Sequence, residues 1–166
     1  MRTTRQTEAA AEYRATADAY RPTRDQYLAE ASAAKTAHER RDLLASAEEY
    51  AGYVSGYTYN ALEAEGLTGA QIDASSEYAL ASAIREAIET AYQAAYREAR
   101  RDQGDREVRR ALRALRTEQH PTEREILFEE LADAYAYSSA PQHEAAARAT
   151  AERLCRVRLY LASRAA

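Results

Sequence analysis

The sequence predicts an all-helical protein of about six helices built on a long antiparallel helical hairpin, roughly 23–65 and 68–103, with shorter helices packed on it. Three observations lead there. Alanine, the best helix former, occurs 40 times in 166 residues, against only 5 Gly and 3 Pro. Apolar residues recur at steps of three and four through long stretches, with no sustained alternation of the kind a strand requires. Ser, Thr or Asp stands at the head of most of these stretches, where a helix start needs an acceptor for its unpaired backbone N–H groups.

The first helix is expected to begin near Thr3, which has the capping-box spacing to Gln6, and to run to about Tyr20. Pro22 lacks a backbone donor and disfavours helix at Arg21, so a turn or kink is expected there, with Thr23 and Gln26 repeating the start signal. Tyr13, Tyr20 and Tyr27 lie seven apart and would line up on one packing edge only if the helix were nearly continuous.

From Thr23 the helical pattern continues to Glu65 and stops at Gly66, a natural left-handed cap. A helix that long either breaks or protrudes. The candidate breaks are Thr36 to Arg41, where Thr36 and Glu39 match a capping box, and the pair Gly52 and Gly56. Leu44, Ala47, Ala51, Val54, Thr58 and Ala61 form a packing seam here, flanked by a line of Tyr50, Tyr53 and Tyr57.

The next start is the best marked. Thr68 and Gln71 form a capping box, and Leu67 with Ile72 a hydrophobic staple. A stripe through Tyr78, Ala81, Ile84, Ile88, Tyr92 and Ala95 then runs to Gln103 and Gly104. The short connection makes this helix antiparallel to the one before, and counting outward from Leu67 places Leu80 near Val54, Ile84 near Ala51 and Ile88 near Ala47. Gly52 and Gly56 become close-approach points beneath Leu80 and Tyr78. Asp105 is expected to cap a short helix to Gln119 with an apolar line of Val108, Ala111, Leu112 and Leu115. His120-Pro121 ends it, Thr122 and Glu125 open the next, and Ser139, Pro141 and Gln142 mark the last start. The chain thus reads as one helical domain, 1–166, or as a protruding hairpin (23–103) with a C-terminal three-helix part (105–164).

The core is unusual. Leu, Ile, Val and Phe number 13, 4, 3 and 1, while Tyr numbers 13. Alanine lets helix axes approach closely but removes little apolar area from water, so Tyr and Leu must carry most of the burial. Thin aliphatic burial beside many tyrosines, residues enriched at interfaces, leads to the expectation of self-association. Net charge of −4 and the scarcity of Pro argue against disorder. The single Cys155 excludes an intrachain disulfide and reads as a small core residue. With no signal-peptide core at the N-terminus and no long apolar run, a cytoplasmic location is expected.

Several chemistries find no support. Five glycines at 52, 56, 66, 69 and 104 build neither a phosphate-binding loop nor a dinucleotide fingerprint. The residues three before His38, His120 and His143 are Lys35, Thr117 and Ala140, so the Glu-x-x-His pattern of di-iron bundles is missing, and no two histidines stand four apart as on a zinc helix. Carboxylate pairs such as Glu48/Glu49, Glu86/Glu89 and Glu129/Glu130 read as solvated helix faces. No catalytic, cofactor-binding or metal residues are assigned, and no enzyme is expected. The expected function is that of an interaction or assembly protein working through its Ala/Tyr-rich helix face, with Tyr50, Tyr53 and Tyr57 as candidate interface. The alternative is a small nucleic-acid-binding regulator. At 100° per residue, Arg106, Arg109, Arg110, Arg113 and Arg116 fall opposite Val108, Ala111, Leu112 and Leu115, making one basic face. Residues 118–133 carry six carboxylates against Arg124, so neutralisation of that face by the next helix is the competing expectation.

Overall fold

The computed structural model describes residues 4–165, which form six α-helices and one short 3₁₀ turn and, among the described residues, no strand. The helices are α1 (Thr4–Ala33), α2 (Ala37–Ala64), α3 (Gly69–Asp73), α4 (Ser76–Thr117), α5 (Pro121–Tyr137) and α6 (Glu144–Ala165), with the 3₁₀ turn at Pro141–His143. Thr3, the expected first cap, lies outside the described residues. The chain divides into two compact units, Met1–Tyr96 and Arg97–Ala166, with the boundary inside α4.

In the first unit, α1 passes through Pro22 without ending. A proline inside a helix costs about 3 kcal/mol by removing one hydrogen bond and crowding the preceding turn. Two seven-residue series offset it. Ala10, Ala17, Arg24 and Ala31 are the buried residues of α1, and Tyr13, Tyr20 and Tyr27 make a parallel line that only a continuous helix can align. The break comes instead at Ala34–Thr36, where Thr36 Oγ accepts the Glu39 N–H at 3.1 Å and the Glu39 carboxylate accepts the Lys35 N–H at 3.1 Å. The long helix expected from Thr23 is therefore shared between α1 and α2, and Thr36, one of the two candidate breaks, is the one used.

At the far end of α2, Gly66 takes the left-handed conformation (φ 83°). Its N–H bonds the Glu63 carbonyl at 2.7 Å and the Leu67 N–H bonds Leu62 at 3.2 Å, a Schellman termination. The Thr68–Gln71 capping box and the fully buried Ile72 form as expected, yet α3 lasts only five residues. Ser75 intervenes: its Oγ accepts the Tyr78 N–H at 3.2 Å and starts α4 afresh. The register counted from the turn holds. Ile88 packs with Ala47 and Ala51, with Ile84 against the same cluster, and Ala95 joins Leu44 and Ala31. Arg14 ties the three helices together at one end, its guanidinium bonding Glu65 and, at 3.1 and 3.2 Å, both oxygens of Glu77. These hydrogen bonds raise its already high pKa further.

Gly52 and Gly56 are not close-approach points. A Cβ at either would meet nothing within 4 Å, and Tyr78 sits against Tyr59 instead, ring centroids 5.5 Å apart. Both glycines therefore weaken α2 without serving packing. Gly52→Ala and Gly56→Ala are each expected to raise stability by about 0.5–1 kcal/mol, read by urea denaturation.

In the second unit, α4 continues through Gly104 and Asp105, where a stop and a new cap were expected. Asp105 does not cap its own helix. Its carboxylate accepts the Ser139 N–H at 2.7 Å and the Ser139 hydroxyl at 2.9 Å, binding the segment after α5 to the side of α4. Gly104 makes that contact possible, for a Cβ there would lie 2.8 Å from Ser138 N and from the Tyr137 carbonyl carbon. The core gathers Ala111, Leu131, Ala132 and Ala147, with Val108, Leu115, Phe128 and Tyr135 packed on it. α5 starts two residues earlier than a Thr122 cap would set it, with Pro121 at the first helical position and His120 as cap. Glu125 is thereby released from capping. It is buried, and Arg158 of α6 grips it with Nε at 2.8 Å and Nη2 at 3.1 Å.

Candidate functional site

The basic face lies on the second half of α4. Val108, Ala111 and Leu115 turn toward the core, which leaves Arg106, Arg109, Arg110, Arg113 and Arg116 all exposed on the opposite side. Ten residues of helix separate the first from the last, about 15 Å along the axis. Leu112, expected in the apolar line, is exposed instead and borders the arginines. Arg109 Nε donates to the Asp105 carbonyl at 3.0 Å and Arg113 Nε to the Arg109 carbonyl at 3.2 Å, so both side chains lie back along the helix with their guanidinium tips outward.

Among the described residues, Arg109, Arg110, Arg113 and Arg116 make no ion pair. Glu125 is held by Arg158, and Asp133 lies 3.1 Å from Arg148, which also bonds Glu144. The acids of α5 with ion-pair partners thus find them on α6. Arg110 shares a hollow with Glu107, Glu130 and Asp133, and Arg109 stands beside Asp105. Above it on the helix, the Arg100 guanidinium stacks on the Tyr137 ring at 3.8 Å, a cation–π contact that keeps it off the open face.

Two carboxyls of this unit are tuned by their partners. The Ser139 N–H, and after it the Ser139 hydroxyl, hold the Asp105 carboxyl below its usual range although burial pushes the other way. Arg158 does the same for Glu125, with the half-buried Cys155 thiol second; Arg158 Nη2 also donates to Cys155 Sγ at 3.9 Å. Because both folded pKa values are depressed, their stabilisation is complete above the ordinary carboxyl range near pH 4 and is lost as pH falls through the lowered values. The melting temperature of the protein is expected to drop on acidification below about pH 4, and Asp105→Asn with Glu125→Gln to flatten that dependence. Thermal melts at a series of pH values check it.

The tyrosine line of α2 has partners within the chain. The Tyr20 ring stands 5.8, 5.2 and 5.8 Å from those of Tyr50, Tyr53 and Tyr57. Tyr13 meets Tyr57 at 6.2 Å and Tyr27 meets Tyr50 at 5.7 Å. Six phenols thus interleave along the α1–α2 seam, within the distances at which tilted and edge-on aromatic pairs attract. Tyr53 remains 42% exposed and its hydroxyl donates to the Glu49 carboxylate at 2.6 Å, which raises the phenol pKa. The two halves of this cluster were visible separately in the spacing of the tyrosines, and α1's continuity joins them.

Among the described residues no three or more His, Cys, Asp or Glu side chains converge to hold a metal ion, and no helix is long and apolar enough to cross a membrane. No family model matches the chain, and searches of curated proteins and of solved structures return no match.

Proposed function

We propose that this is a non-enzymatic cytoplasmic binding protein whose working surface is the arginine face of α4 and whose partner is nucleic acid, held through its phosphates. The observation that carries the reading is the pairing pattern. α5 supplies the nearest dense set of carboxylates, and its ion-paired members bond α6, leaving four guanidiniums directed to solvent without an ion pair among the described residues. Like charges one turn apart on a helix repel, so a row of arginines on one face gains little for the fold. A polyanion relieves that repulsion and releases its own counterions in doing so. Guanidiniums bond phosphate oxygens in pairs, and five of them over about 15 Å suit the closely spaced charges of a duplex backbone. Titration of the protein with duplex DNA at low and moderate salt tests the proposal; absence of salt-dependent binding at low salt rejects it.

Self-association is a second reading, and the C-terminal turns of α6 favour it. Val157, Tyr160 and Leu161 are each exposed by half or more and lie three and four residues apart on one face of α6, an apolar patch that a second copy would cover. Under this reading Val157→Glu with Leu161→Glu shifts the protein to monomer in sedimentation velocity. A wild-type chain that stays monomeric across micromolar concentrations rejects it.

A further inference from the structure

The first unit contains one charge in a place where the packing pattern has alanine. Along α1 the buried series runs Ala10, Ala17, Arg24, Ala31, so Arg24 occupies a seam position, with 9% of its surface exposed. Burying a guanidinium is costly unless it is fully bonded. Its bonds are incomplete: Nε at 2.8 Å and Nη2 at 2.6 Å both go to a single oxygen of the neighbouring Asp25, a largely exposed side chain, and Nη1 has no partner among the described residues. What Arg24 borders is a half-open groove of about 410 Å³ among α1, α2 and α4. Val54, Leu80, Ala81 and Ile84 supply aliphatic walls, and Arg21 stands at the same edge as Arg24. Leu80 is 64% exposed, an aliphatic side chain left in water at the groove's rim.

We infer that this groove is a binding site for a small amphipathic carboxylate, its head on Arg24 and its aliphatic chain along Val54, Leu80, Ala81 and Ile84. The volume lies within the ordinary range for ligand sites. The walls carry no aromatic ring against which a base or an aromatic ligand would stack. A singly charged head fits better than a phosphate. Asp18 and Asp25 already offset part of the charge of Arg21 and Arg24, and the Glu77 carboxylate, which also lines the groove and is bound by Arg14, repels a second negative charge. Nη1 of Arg24 and the remaining donors of Arg21, whose own Nη1 pairs with Asp18 at 3.0 Å, match a carboxylate's two oxygens.

Isothermal titration calorimetry of the full chain with octanoate, octanol and acetate tests this. Saturable one-to-one binding of octanoate is expected, with octanol and acetate each at least about tenfold weaker, a difference of about 1.4 kcal/mol. Arg24→Met, which keeps most of the volume and removes the charge, is expected to weaken octanoate by about tenfold or more and to leave octanol unchanged. Leu80→Glu, at an exposed position that the fold does not depend on, removes part of the aliphatic wall and sets a carboxylate at the mouth, so it is expected to weaken octanoate by about tenfold or more and octanol by less, and the test survives a failure of the Arg24 variant to fold. Octanol binding as tightly as octanoate, octanoate binding unaffected by Leu80→Glu, or no saturation at millimolar octanoate each overturns the proposal.

Discussion

Replacing Gly104 by valine is expected to cost the second unit about 3 kcal/mol or more, and replacing it by alanine to cost less with the same sign. The direction opposes helix propensity, by which alanine in place of a mid-helix glycine gains about 1 kcal/mol. Sterics decide. A Cβ at Gly104 would stand 2.8 Å from Ser138 N and Tyr137 C and 3.0 Å from the Ala134 carbonyl oxygen, all backbone atoms of α5 and the turn that follows it. No rotamer change can relieve such a contact, so the end of α5 must move away from α4. That movement also strips the two hydrogen bonds from Ser139 to Asp105. Urea denaturation gives the magnitude, and hydrogen exchange gives the place: protection is expected to fall first at the amides of residues 134–139. Gly52→Ala and Gly56→Ala are internal controls, since the same chemical change at those open positions is expected to stabilise.

Gly104 also shows why some of the fold could be read in advance and some could not. Local signals answered by local partners are legible. Thr36 meets Glu39, Thr68 meets Gln71, and Gly66 closes α2 through its own last carbonyls, so helix starts, stops and the register of α2 on α4 follow from neighbouring residues. Signals answered from far along the chain mislead. Gly104-Asp105 has the form of a helix end followed by a new cap, yet the glycine makes room for Ser138 and the aspartate bonds Ser139, some 34 residues away. Pro22 has the form of a break, yet the tyrosine and alanine series on either side of it pack against α2 and carry the helix through. Glu125 has the spacing of a capping residue and is instead drawn to Arg158. The arginine face itself follows from helical spacing alone. Its freedom from α5 does not, because the partners of α5's carboxylates depend on which way α6 returns.

That freedom makes a quantitative prediction. If all five arginines engage phosphates of B-form DNA, the logarithm of the binding constant should fall against the logarithm of salt with a slope of about −4.5, which amounts to a loss of about 500-fold between about 50 and 200 mM. Replacing Arg109, Arg110, Arg113 and Arg116 by glutamine should bring the slope to about −1 and lower affinity at low salt by a comparable factor. Replacing the same four by lysine should largely keep the slope, because counterion release follows charge, while weakening binding through loss of the paired guanidinium hydrogen bonds. None of the four makes an ion pair among the described residues, and their surroundings are solvent on most sides, so the substitutions should leave the helical circular dichroism unchanged. Arg110 should contribute least, since Glu107, Glu130 and Asp133 share its hollow and compete with phosphate for it. Fluorescence anisotropy with labelled duplex at four or five salt concentrations reads every one of these values. A slope that the glutamine variant leaves unchanged would remove α4 from the interface and hand the binding role to another surface.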